Sequence, residues 1–121
     1  MIGPAICKTL ESLKCSSFRK RFKLAEKERE YIRRKGIETI RRHAHDFVVA
    51  RIAQQFPEND GRQTPMKNHP VFIAQHATAT CCRGCLEKWH HIPRGKVLND
   101  TEISFIIDLI MAWIALQMKE C

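Results

Sequence analysis

The sequence has no hydrophobic run long enough to cross a bilayer, no signal-peptide pattern in its first residues and no internal repeat. Its most apolar stretch, residues 103–116, is interrupted by Asp108 and is shorter than the roughly 18 residues that a membrane-spanning helix needs. The first residues, MIGPAICKTLESLK, lack the apolar core and cleavage site of a signal peptide. We therefore expect no membrane span and a cytoplasmic location, where cysteines stay reduced.

Several nucleotide- and metal-binding patterns are also missing. There is no P-loop, no aromatic RNA-binding signature and no doubled C-x₂-C of the kind that defines zinc ribbons. These absences remove the usual evidence for a specific nucleic-acid module.

The excess of positive over negative charge lies entirely in the N-terminal half. The 121 residues carry a net charge of +8, are 44% hydrophobic and 28% charged, and fit one soluble globular domain over 1–121. Residues 1–56 hold 14 Lys/Arg against 6 Asp/Glu, whereas 57–121 hold seven of each. This basic half predicts a nucleic acid or another polyanion as partner, or else a solvated surface in which interleaved acids neutralise the bases. The anion-binding candidates are Arg41, Arg42 and Arg83.

Periodicity predicts an all-α fold of about five helices with one long irregular loop. The basic half (1–56) contains an amphipathic helix over 37–56, which Pro57 ends. The loop over 57–70 is rich in turn residues and leads into a Cys/His segment at 69–91. A last helix, about 100–118, is capped by Asn99 or Asp100. Its apolar positions cover more than one face, which predicts a central core helix or a homo-oligomer formed through 101–118.

The Cys/His segment is the strongest chemical feature. Cys82 and Cys85 form a C-x₂-C half-site, the common ligand spacing for Zn²⁺, and Gly84 between them would let the backbone turn. His76 and His90 complete a four-ligand set, for which Cys81 and His69 are the substitutes. Four protein ligands would make the site structural, and three with a water would make it hydrolytic.

Two other interpretations of the cysteines stay open. They can be small buried hydrophobes, or Cys81 or Cys82 can be a nucleophile activated by a helix N-terminus and Arg83, with a histidine as base. An iron–sulfur cluster is disfavoured because only three thiols are local. On the helix over 37–56, His43 and Asp46 are i,i+3 neighbours and form a candidate acid–base or ligand-orienting pair.

The central motifs resemble a known family. The run Asn59-Asp60-Gly61-x-Gln63-Thr64-Pro65-Met66, followed by HPVFIAQHATATCCRGCLEKWH from position 69, is similar to the family called domain of unknown function 4186. The likeness extends to Phe18-Arg19, to the stretch from His43 to Phe47 and to the closing helix, and so covers nearly the whole chain. The resemblance implies a small stand-alone domain without an established activity. Asn68 and His91 depart from the family pattern, which makes His91 a poorer ligand candidate than His90.

Overall fold

The computed structural model describes residues 3–119, which form seven helices and no strand. The predicted all-α class is confirmed, whereas the predicted count of about five helices is too low. The bounds are α1 Pro4–Leu13, α2 Ser17–Lys20, α3 Glu26–Lys35, α4 Ile37–Arg51, α5 Pro70–Ala77, α6 Arg83–His90 and α7 Asp100–Lys119. Helix α2 begins where the Ser16 hydroxyl accepts a hydrogen bond from the Arg19 amide at 3.2 Å.

Helix α7 lies at the centre of the fold and packs against α1, α4 and α5. Residues on its inner face are fully buried against an equally buried stripe of α4, and every residue of α5 is buried as well. These neighbours account for an apolar surface that covers more than one face. The buried stripes are Ile40, Ala44 and Val48 of α4, and Ile106, Ile110 and Ile114 of α7.

The start of α7 follows the predicted capping pattern. The Asn99 side chain accepts from the Glu102 amide at 2.8 Å, and Glu102 accepts from the Asn99 amide at 3.0 Å.

By length and composition alone, Asp100–Lys119 is also a helix that could cross a membrane. The core helix of a soluble protein passes the same test, so this single match is weak evidence for a span.

Helix α4 ends at Arg51, five residues before the predicted end at Phe56. The chain leaves the helix at Ile52 because both Ile52 and Ala53 turn into the core. The Arg83 guanidinium then hydrogen-bonds the carbonyls of Ile52 at 3.4 Å and Gln54 at 2.7 Å. Carbonyls at a helix end need such partners. The irregular loop therefore runs over 52–69 rather than 57–70.

Candidate metal centre

Three cysteines meet at the first turn of α6. The sulfurs of Cys81, Cys82 and Cys85 lie within 4.8 Å of one another, and the Cys81 and Cys85 sulfurs are 3.6 Å apart. Cys81 and Cys82 are buried, and Cys85 is partly exposed. This group has the size of a metal-ligand set, so a cluster of three thiols that could hold a metal ion is present.

Local backbone structure produces this meeting. Cys82 is the N-cap of α6, and its sulfur accepts a hydrogen bond from the Cys85 amide at 3.4 Å, which turns both side chains toward one point. Before the cap, Ala79 adopts a left-handed φ of 59° and reverses the chain that leaves α5. Gly84 lies inside α6 without a positive φ, so the turn that we expected of it is made at Ala79 instead.

A buried arginine contacts two of the three thiols. Arg19 donates from Nη2 to the Cys85 sulfur at 3.0 Å and from Nη1 to the Cys81 sulfur at 3.8 Å. The same Nη1 is anchored by the carbonyl of His76 at 2.7 Å, and only 8% of Arg19 is exposed. A permanent positive charge therefore lies against the sulfurs, away from most solvent.

The three thiols differ strongly in acidity. Hydrogen bonds from Cys81 and Cys82, together with Arg19, hold the pKa of Cys85 at about 2 against the opposing effect of burial. Hydrogen bonds with Cys82 and Cys85, and burial, raise the pKa of Cys81. For Cys82, the hydrogen bond with Cys81 lowers the pKa, but the hydrogen bond with Cys85 and burial outweigh it and raise the pKa overall. One thiolate, at Cys85, is thus stabilised by two neighbouring thiols and a guanidinium.

The predicted histidine ligands are not part of the thiol group in the described range. Nε2 of His76 contacts the carbonyls of Thr64 at 3.0 Å and Pro65 at 3.1 Å, so it must carry a proton and it fastens the loop to α5. Nε2 of His90 contacts the Thr78 carbonyl at 2.7 Å. Burial lowers the pKa of His90, more than the bond to Thr78 raises it, and keeps the ring neutral.

The substitute ligand His69 lies in a different cluster, together with His43. His69 Nδ1 is the N-cap acceptor for the Val71 amide at 3.0 Å, and its Nε2 lies 3.1 Å from Nδ1 of His43. Because Nδ1 accepts, the neutral ring donates from Nε2 to His43. The predicted pairing of His43 with Asp46 is therefore replaced by a pairing with His69, while Asp46 lies 3.6 Å from His45.

The arginines predicted to bind anions are engaged with the protein itself. Arg83 is 1% exposed and donates to the carbonyls of Ile52, Gln54 and Pro93. Arg41 bonds Asp108 at 2.5 Å, and Arg42 reaches Thr39 at 3.5 Å. An anion would have to displace these partners, so the polyanion-binding role of this set stays a prediction.

The family model of a domain of unknown function (DUF4186) matches residues 7–115. The chain belongs to the DUF4186 family. The match includes Arg19, the three cysteines and the His43–His69 pair, so every cluster described above lies inside the family domain. No solved structure matches this chain.

Arg19 is the site residue that the sequence-based prediction of ligands missed. It lies 62 positions before Cys81 and 66 before Cys85 in the chain, and no spacing rule connects them. The one available signal was Phe18-Arg19 within the DUF4186 resemblance. That signal marked the dipeptide without indicating what it contacts.

Proposed function

We propose that this DUF4186 domain binds one Zn²⁺ ion through the thiolates of Cys81, Cys82 and Cys85. The observation that supports this most directly is the approach of all three sulfurs to within 4.8 Å of one another. Zinc takes thiolate and imidazole ligands in tetrahedral geometry, and a C-x₂-C pair commonly supplies two of them. Reduced thiols are required, in agreement with the cytoplasmic location expected from the sequence.

The charge of the site supports a divalent cation. Three thiolates and one Zn²⁺ carry a net charge of minus one, which is unfavourable in a buried place unless it is compensated. The Arg19 guanidinium, 3.0 Å from the Cys85 sulfur, provides the compensating charge. Hydrogen bonds from such neighbours to a ligand orient it and raise metal affinity.

The fourth zinc position falls to a solvent molecule, or to His90 through a movement of its ring, which lies outside the thiol group in this structure. His90 is neutral and donates Nε2–H to the Thr78 carbonyl, which is the hydrogen bond that commonly orients a metal-binding imidazole. A His90→Ala variant separates the two cases. Unchanged zinc affinity assigns the position to solvent, and a strong loss assigns it to His90.

Cobalt(II) titration of the metal-free protein tests the ligand set. The intensity of the sulfur-to-cobalt charge-transfer absorption increases with the number of bound thiolates. We expect saturation at one ion per chain, and a weaker band in Cys81→Ser, Cys82→Ser and Cys85→Ser. Cys15→Ser is the matched control, since Cys15 is exposed, lies between α1 and α2 and does not belong to the thiol group. Equal spectra in all four variants would refute the site.

A second candidate function is thiol chemistry at Cys85. The specific observation is the 3.0 Å contact between Arg19 Nη2 and the Cys85 sulfur, which stabilises a thiolate nucleophile. This differs from the expectation that Cys81 or Cys82 would be the nucleophile. Labelling of the metal-free protein with limiting iodoacetamide at pH 6, followed by peptide mapping, tests the choice. Modification of Cys85 first supports it, and faster modification of Cys81 or Cys82 contradicts it.

A further inference from the structure

A cleft of about 440 Å³ opens between α1, α5, α7 and α2 with the segment that follows it. This volume is within the range of about 300–1,000 Å³ that is usual for small-molecule sites. Its walls are largely apolar, and Ala77 of α5 lies among them. The larger apolar side chains of the walls are Leu10, Leu13, Phe22, Trp113 and Leu116.

The charged side chains that line the cleft are all basic. Lys14, Lys20 and Lys23 line it together with Arg19, and the lining contains no Asp or Glu among residues 3–119. Lys14 is already 3.8 Å from Glu11 on the same helix. Lys20 and Lys23 are exposed and form no ion pair with an acid of the described chain.

From this combination we infer that the cleft binds a small amphiphilic anion, a molecule with an apolar chain and one carboxylate or similar group. The apolar walls would take the chain, and Lys20 and Lys23 would pair with the anionic group. A plain phosphate or nucleic acid would leave the apolar walls in water. An uncharged apolar molecule would leave the lysines without a partner.

Arg19 connects this cleft to the three thiols. It lines the cleft and also donates to the sulfurs of Cys81 and Cys85. A ligand in the cleft therefore lies next to the guanidinium that stabilises the Cys85 thiolate. The inference does not depend on a bound metal, because the cleft and its lysines are formed by α1, α2, α5 and α7.

Calorimetric titration of the full chain with hexanoate, octanoate and decanoate, with decanol as the neutral analogue, tests the inference. We expect affinity to rise with chain length, by up to about fourfold per added methylene, because each methylene leaves water. We expect decanol to bind at least about fivefold more weakly than decanoate, since it cannot pair with the lysines. In a Trp89→Phe variant, decanoate should change the fluorescence of Trp113, which lines the cleft.

Charge variants locate the anionic group. Lys20→Gln/Lys23→Gln should bind decanoate about tenfold more weakly, whereas Lys67→Gln, an exposed lysine outside the cleft, should bind as the native protein does. Affinity that is independent of chain length, or equal in both variants, would overturn the inference. Binding to vesicles of anionic phospholipid without binding of any soluble carboxylate would overturn it too, and would point to a membrane surface.

Discussion

Two buried arginines differ in what they contact: Arg83 lies within the cysteine segment, and Arg19 reaches it from a distant part of the chain. Arg83, 1% exposed, donates to the backbone carbonyls of Ile52, Gln54 and Pro93 and so joins the end of α4 to the turn after α6. Arg19, 8% exposed, donates to one carbonyl and to the sulfurs of Cys81 and Cys85. Carbonyls do not titrate, whereas thiols do.

One of these buried charges therefore supports the fold, and the other acts on the thiols. Burial lowers the pKa of Arg83, against Asp60 and other carboxylates that raise it, and its carbonyl partners keep one charge state throughout. Arg19, in contrast, adds to the hydrogen bonds from Cys81 and Cys82 that lower the pKa of Cys85, and so favours the thiolate form that binds metal or reacts. Removing Arg83 should therefore cost mainly stability, and removing Arg19 should mainly change the thiol site.

The largest expected effect is that of Arg83→Met on stability. It leaves three carbonyls without their donor, and we expect a loss of about 3 kcal/mol in the free energy of unfolding. Urea denaturation measures it, and Arg62→Met, at an exposed arginine of the loop that contains Ile52 and Gln54, should change stability by less than about 0.5 kcal/mol. Similar stabilities for the two variants would show that the hydrogen bonds from Arg83 to these carbonyls contribute little to the free energy of unfolding.

Arg19→Met should change the site more than the fold. We expect zinc affinity to fall about tenfold or more, because a group that holds a metal ligand in place is lost. The folded state should lose only about 1 kcal/mol, since a single carbonyl loses its donor. Arg21→Met is the matched control, because Arg21 also lies over the Phe18 ring and contacts no thiol. Equal zinc affinity in both variants would contradict the role of Arg19.

The His43–His69 pair is a second place in the molecule where two titratable side chains are in contact. Burial, and then the nearby His43, lower the pKa of His69 to about 4 from the ordinary 6.5. As the pH falls, His69 is protonated in the unfolded chain before it is protonated in the folded protein. The contribution of His69 to stability is therefore complete above pH 6.5. It is lost between pH 6.5 and 4, and we expect a loss on the order of 1 kcal/mol for this half-buried ring.

Urea denaturation at pH 7 and pH 4, compared with a His69→Asn variant, measures this contribution. The asparagine retains a cap oxygen for the Val71 amide but does not titrate. The native protein should therefore lose more stability than the variant over this pH window. Equal losses in the two proteins would show that His69 titrates alike in the folded and unfolded chain.

The smallest expected effect is that of Gly84→Ala inside the C-x₂-C sequence. An added Cβ would meet the tip of the Arg94 side chain, which is exposed and free to shift. Alanine also favours the helix over glycine, so we expect a stability change within about 0.5 kcal/mol and unchanged zinc content. Loss of zinc in this variant would show that the cluster needs a glycine backbone there.

The all-α class and much of the core could be predicted from the sequence, because the local spacing of apolar residues indicates both. The capping box of α7 was predicted from spacing and was found. The stripe predicted for α4 was found in part, since Ile40, Ala44 and Val48 are buried but Ile37, which the same spacing includes, is 49% exposed. The end of α4 was predicted too late, since its carbonyls are taken by Arg83, 31 positions further on. A bond between distant residues leaves no periodic trace in a sequence.

The site was predicted in part for the same reason. The closeness of Cys82 and Cys85 follows from i,i+3 geometry at a helix start, and Cys81 lies next to them as the predicted substitute. The histidines of the segment depend on which carbonyls the loop presents, Thr64 and Pro65 for His76 and Thr78 for His90. Neither these partners nor the approach of Arg19 can be deduced from spacing.

The metal content of the native protein, purified without a histidine tag, decides whether the three cysteines hold zinc. Elemental analysis should find one zinc per chain, and Cys81, Cys82 and Cys85 should be protected from a thiol reagent that modifies the exposed Cys15. Removal of the metal by a chelator should restore their modification. A protein without stoichiometric metal whose three clustered cysteines react as readily as Cys15 would contradict zinc binding by these cysteines.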